Sequence, residues 1–124
     1  MERVRQIIKE SIRVKEAVLN TMAKDIKTVS NMIADSIKKG GKLILFGNGG
    51  SAADAQHIAA ELIGRFKLER QALAAISLTT NTSTMTSIAN DYGYEEIFSR
   101  QLEGIASEND IVMGISTSGN ARML

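Results

Sequence analysis

Histidine occurs once in this chain, at position 57, and a glutamate follows four residues later at Glu61. The surrounding segment, "SAADAQHIAAELIGRF" (51–66), is rich in alanine and predicts a helix. Asp54, His57, Glu61 and Arg65 then recur at spacings of three and four and share one face. His57 and Glu61 stand one turn apart, close enough to bind one ion together or to work as an acid–base pair. Imidazole and carboxylate suit Zn²⁺ among other ions, but two donors leave a tetrahedral shell incomplete. Asp54 is placed to orient the imidazole ring from behind. The plainer alternative is a solvated face with Asp54–His57 and Glu61–Arg65 pairs, each worth only about 0.2–0.5 kcal/mol.

Three short stretches share a second chemistry. "GNGGS" (47–51), "SLTTNTS" (77–83) and "STSGN" (116–120) are dense in glycine, hydroxyl and amide groups, and none holds a basic residue. Glycines let backbone N–H groups approach an anion, hydroxyls add short hydrogen bonds, and a following helix N-terminus adds its positive dipole end. Any one of these loops reads equally well as turn and capping residues. "GNGGS" and "STSGN" together favour a site. Neither is a nucleotide motif: the spaced G-x-G-x-x-G and the phosphate-loop lysine are both missing. A small phosphorylated ligand fits better than a dinucleotide.

The elements that would hold these groups follow from the apolar pattern. Residues 1–39 carry one apolar stripe at Val4, Ile7, Ile8, Ile12, Val18, Leu19, Met22, Ile26, Val29, Met32, Ile33 and Ile37, the spacing of amphipathic helix. "NT" at Asn20-Thr21 predicts a break into a helical pair, since either residue can cap a second helix. "KKGG" ends the segment. After Gly41, short apolar runs alternate with helical segments. Lys42–Phe46, Leu73–Leu78 and Asp110–Ser116 read as strands, and helices are predicted at 51–66, across "STMTSIAN" and across "YEEIFSRQLEGIA". This alternation predicts an α/β fold of three layers, Rossmann-like (flavodoxin-like), with a parallel sheet between helices. The expected division is 1–40, helices for packing or oligomerisation, and 41–124, a ligand-binding domain. In such sheets ligands bind beyond the carboxyl ends of the strands, where strand order reverses.

Composition narrows the class. The net charge of +1, from 15 basic and 14 acidic residues, gives no reason to expect nucleic acid as a partner. Residues 1–40 are net positive and residues 41–124 net negative, which reads as a solvated helix face. No apolar run is long enough for a bilayer, and the charged start is unlike a signal peptide. A cytoplasmic location without membrane association is therefore expected. The absence of cysteine removes disulfides and thiolate metal sites.

With these residues in view, "GNGGSAADAQHIAAEL", "ISLTTNTS", "IANDYGYEEIFSRQ" and "ISTSGN" together resemble the phosphoheptose isomerases of the sugar-isomerase (SIS) domain superfamily. The resemblance runs in order from the N-terminal segment to Leu124. It implies interconversion of sedoheptulose 7-phosphate and D-glycero-D-manno-heptose 7-phosphate through an enediol, toward the heptose of bacterial lipopolysaccharide. It implies a cytoplasmic homotetramer that binds zinc. It assigns substrate contact to Asn48, Gly49, Gly50, Ser51, Asn90 and Asp91, and phosphate contact to Ser116, Thr117 and Ser118. It assigns metal ligation to His57 and Glu61, and a catalytic role to Glu61. A carboxylate that is both ligand and base serves two competing ends.

Two departures stand out. The family places a serine after "STSGN", where this chain has Ala121, so one phosphate hydroxyl is lost. The family pattern also continues past the position of Leu124, with further strands and a glutamine and histidine that complete the site. The resemblance thus implies that residues 1–124 hold an incomplete active site. A non-catalytic phosphosugar-binding regulator of the DnaA initiator-associating type is the alternative, but that relative lacks the glutamate at the position of Glu61. A purely structural helical oligomerisation unit is the third reading.

Overall fold

The computed structural model describes residues 1–121. Two compact units divide the chain, one covering Met1–Met32 and the other beginning at Ile33.

The first unit lies within a single helix, α1 (Glu2–Lys38). The expected break at Asn20-Thr21 is absent, so the helical pair is corrected to one continuous helix. The reason is local. The Thr21 hydroxyl, one of the two candidate caps, donates instead to the Ala17 carbonyl one turn back at 2.7 Å. Thr28 and Ser30 bond back in the same way to Lys24 and Ile26. A hydroxyl satisfied by the preceding turn does not compete with helix, and neither glycine nor proline interrupts residues 2–38. Much of the apolar stripe is exposed, including Ile7, Ile12, Leu19, Met22 and Ile26, while Val18, Ile33 and Ile37 are half-buried.

The second unit is built on three parallel strands, β1 (Leu43–Gly47), β2 (Ala75–Ser77) and β3 (Ile111–Ile115), in the order β2-β1-β3. Helix α2 (Gly50–Ile63) follows β1; α3 (Thr82–Tyr92), a 3₁₀ turn (Tyr94–Glu96) and α4 (Ile97–Ile105) lie between β2 and β3. Every residue of the central strand β1 is buried. Its side chains alternate between faces. Ile44 and Phe46 join Leu78, Ile88, Ile97 and Phe98 on the α3–α4 side, while Leu43 and Leu45 join Ala55 and Ala59 of α2, with Ile33 against them. Two apolar clusters on opposite faces make the three-layer α/β fold that the sequence predicts. The division after Met32 follows from the same contacts, since Ile33 packs in the α2-side cluster.

The amino-terminal edge of the sheet is tied by polar groups. Lys42 Nζ lies 2.7 Å from Asp110 Oδ2, and the Lys42 and Ser107 backbone N–H groups donate to the same carboxylate. Ser36 Oγ donates to the Asn109 carbonyl at 2.5 Å. Gly41 is wedged there, where a Cβ would overlap that carbonyl and the Ser36 hydroxyl.

Candidate functional site

Strand order reverses at β1: the chain leaves to one side for β2 and returns on the other for β3. Gly47 and Ile115 are the last register partners of β1 and β3. The loop that begins at Asn48 and the loop that begins at Ser116 therefore leave the sheet side by side. A crevice at such a reversal is where open α/β sheets bind ligands.

The first loop depends on two glycines for different reasons. A Cβ on Gly47 would lie 2.8 Å from both the Ile115 carbonyl oxygen and Ser51 Cβ, so β1, β3 and the start of α2 can converge only around glycine. Gly49 takes φ 56°, ψ −120° as the N-cap of α2, a conformation costly for other residues. It provides no side-chain cap, and the first turn of α2 holds no acidic residue. Gly50 has neither constraint. Ser51 is only 5% exposed and sits beneath the loop.

The second loop folds on its own hydroxyls. Gly119 N–H donates to Ser116 Oγ at 3.0 Å, Asn120 N–H donates to Ser118 Oγ at 3.1 Å, and the two serine oxygens are 3.3 Å apart. Gly119 supplies the positive φ of 71° that the turn needs. A hydroxyl that accepts a backbone N–H still carries its own proton to donate. Thr117 and Ser118 are exposed and Ser116 half-buried.

The loop after β2 is different. Ser77 and Thr79 are buried, their hydroxyl oxygens 2.7 Å apart, and Gln56 Nε2 donates to Thr79 Oγ1. Thr80 donates to the Ser77 carbonyl and Asn81 caps α3 by accepting from Thr84 N–H. Turn and cap duties account for these groups.

Asn90 and Asp91 end α3, both exposed, with Asn90 Nδ2 donating to Asp91 Oδ1 at 3.0 Å. Three residues on, the Tyr94 hydroxyl donates to Asn48 Oδ1 at 2.9 Å. That bond brings the α3 corner to the first loop.

On α2, His57 Nε2 and Glu61 Oε1 are 3.5 Å apart, the imidazole exposed and the carboxylate half-buried. The two can present a nitrogen and an oxygen to one ion. Among the described residues no group of three or more His, Cys, Asp or Glu gathers around them, so these residues supply two donors and not a full shell. The pair lies about 10 and 16 Å along the helix axis from Gly50, and among the described residues neither is hydrogen-bonded to either loop. Asp54 makes no bond to His57 there. The helix stops at Ile63, with Gly64 N–H closing on Ala60 O, short of the predicted end at Phe66. Arg65 therefore lies off the face and pairs with Glu69 at 3.5 Å. Arg70 ends the helix instead: its guanidinium donates to the Glu61 and Leu62 carbonyls.

Tyr94 and Arg70 are contributors that sequence reasoning passed over, and Gly47, quoted within "GNGGS", was given no role of its own. Gly47 stood in plain view beside two other glycines; Tyr94 and Arg70 act across distances in the chain that no local pattern marks.

The SIS domain family model matches residues 6–124. The chain belongs to the SIS-domain family. Within it, the similarity is to phosphoheptose isomerases. That of Aquifex aeolicus is 54% identical over 121 residues, spanning 98% of this chain and 63% of the relative. That of Geobacter sulfurreducens is 56% identical over 110 residues, 89% of this chain and 58% of the relative. The structure of a phosphoheptose isomerase from Neisseria gonorrhoeae superposes with a TM-score of 0.90 at 41% identity, over 98% of this SIS-domain chain and 63% of the other. One from Francisella tularensis gives 0.93 at 32% identity, over 98% and 64%. The chain thus spans about three-fifths of the length of these relatives.

Proposed function

We propose that the full-length protein is a phosphoheptose isomerase, acting on sedoheptulose 7-phosphate to give D-glycero-D-manno-heptose 7-phosphate. The observation that carries this reading is the register of Gly47 opposite Ile115, which sets two neutral, hydroxyl- and glycine-rich loops together at the strand reversal. The names of its relatives fit that placement.

In this reading Ser116, Thr117 and Ser118 donate to the phosphate, whose binding energy holds the remote end of the sugar. Asn48, Gly49, Gly50, Ser51, Asn90 and Asp91 line the sugar. The Glu61 carboxylate takes a proton from C1 of the ketose and returns it to C2, while the O1 hydroxyl proton passes to O2. His57 and Glu61 would hold zinc with donors from elsewhere, and such an ion polarises the sugar carbonyl. The buried Ser51 supports binding through its backbone more readily than through its hydroxyl. The protein acts in the cytoplasm as a homotetramer, and the exposed α1 stripe is apolar surface of the kind oligomers bury.

The test is Glu61→Gln in the full-length protein, with turnover followed by the appearance of the aldose. Loss of roughly 10²–10⁴ in kcat with an unchanged circular dichroism spectrum is expected for removal of a general base. Undiminished turnover overturns the assignment. Phosphosugar binding with no turnover in the unsubstituted protein would place it with the regulatory members instead.

A further inference from the structure

We infer that Tyr94 is a positioning residue for the ligand crevice, acting through Asn48; this rests on the reading of Asn48 as a sugar contact. Asn48 is the first residue beyond β1 and is half-buried beside the strand reversal. Its carboxamide has an accepting end and a donating end, and which way each faces decides what it can offer a sugar hydroxyl. The Tyr94 phenol donates to Oδ1 at 2.9 Å. A phenol that donates to the oxygen selects one of the two flip states of the amide. It thereby fixes the direction of the Nδ2 hydrogens.

The Tyr94 ring is exposed, but the backbone turn that carries it is fixed. Gly93, at φ 107°, turns the chain out of α3 in a conformation that side-chain-bearing residues avoid. Its N–H closes on Ala89 O and its carbonyl accepts from Glu96 N–H, so the turn is bonded at both ends. On the other side of the glycine, the Tyr92 ring lies under the Arg100 guanidinium, 4.6 Å from the centroid. The ring that precedes the turn is thus stacked on α4, and the ring that follows it reaches the β1 loop. The same corner carries Asn90 and Asp91 at the end of α3. One hydroxyl therefore ties the corner that follows Asn90 and Asp91 to Asn48 on a different element, and it orients Asn48.

The experiment is a double-mutant cycle in the full-length protein with Tyr94→Phe, Asn48→Ala and the pair, read by steady-state kinetics on sedoheptulose 7-phosphate and by NMR of the Asn48 side-chain amide. Loss of the phenol bond should raise KM about 3- to 10-fold, with kcat changed less and the unfolding midpoint unmoved. In the Asn48→Ala background the Tyr94→Phe effect should vanish. The Asn48 amide resonances should shift on Tyr94→Phe without substrate present. An unmoved KM in Tyr94→Phe, an equal rise in both backgrounds, or unshifted Asn48 amide signals would each overturn the inference. If Asn48→Ala alone leaves KM unchanged, Asn48 is not a sugar contact and the substrate reading fails at that residue. The amide signals still decide whether Tyr94 orients Asn48.

Discussion

Gly47 stands opposite Ile115 at the point where β1 and β3 part, and a Cβ at Gly47 would meet the Ile115 carbonyl oxygen at 2.8 Å. Backbone cannot yield as a flexible side chain does. Gly47→Ala should cost about 1–3 kcal/mol of stability through overpacking. Gly50→Ala should leave stability within about 0.5 kcal/mol, because nothing lies near its Cβ position. Urea unfolding of both variants checks the contrast.

His57 and Glu61 face each other at 3.5 Å. If the pair holds a metal, His57→Ala should lower the zinc content of the purified full-length protein several-fold while the helix persists. Metal analysis by mass spectrometry checks this, and unchanged zinc content removes His57 from the ligand set.

Asp110 predicts an acid-side stability limb. Its hydrogen bond to Lys42 holds the carboxyl below the usual carboxylate range, with the Ser107 and Lys42 N–H groups adding to the effect and burial opposing it. A folded pKa below the unfolded one means the stabilisation is complete above the ordinary value, about 4. It is lost as pH falls through that value toward the folded pKa. Asp110→Asn should therefore flatten the dependence of unfolding free energy on pH below about 5, and cost on the order of 1–3 kcal/mol at pH 7 from unpaired buried groups. Denaturant titrations between pH 3 and pH 7, roughly the span over which a carboxylate titrates, provide the comparison. A parallel acid limb in the variant would refute the assignment.

Arg70 caps α2 by donating to the Glu61 and Leu62 carbonyls. Arg70→Ala should destabilise the protein by about 1 kcal/mol through lost helix-end hydrogen bonds and dipole pairing. Amide exchange at residues 61–64 should speed up before exchange in β1 does. Uniform exchange across both would show that Arg70 does not act locally.

Much of the architecture was legible in the chain. The alternation of apolar runs with amphipathic segments located β1, β2 and β3, although only β1 is buried on both faces and Ile76 of β2 and Val112 of β3 are exposed. Asn20-Thr21 misled because a threonine has two ways to satisfy its hydroxyl, and nothing local says that Thr21 bonds back to Ala17 rather than forward to a new helix. Arg65 misled because the alanine-rich pattern continues past the point where Gly64 ends the helix. The candidate site shows the same division. Groups adjacent in sequence, such as Ser116 with Ser118 or His57 with Glu61, could be read from spacing. Tyr94 and Asn48 are 46 residues apart, and only the register of the sheet and the turn at Gly93 bring them together.

The polar ties described at Ser36, Gly41, Lys42 and Asp110 all lie at the edge where β1 and β3 begin, whereas the loops at Asn48 and Ser116 lie where those strands finish. Durability and selectivity are thereby assigned to opposite rims of one sheet. Apart from Gly47, whose backbone neighbours bind the two tasks together, and Gly49 and Gly119, whose positive φ favours glycine, residues on the far rim are open to exchange without unfastening the near one. A lineage, or an engineer, can retune what the loops at Asn48 and Ser116 present while the fastening stays untouched.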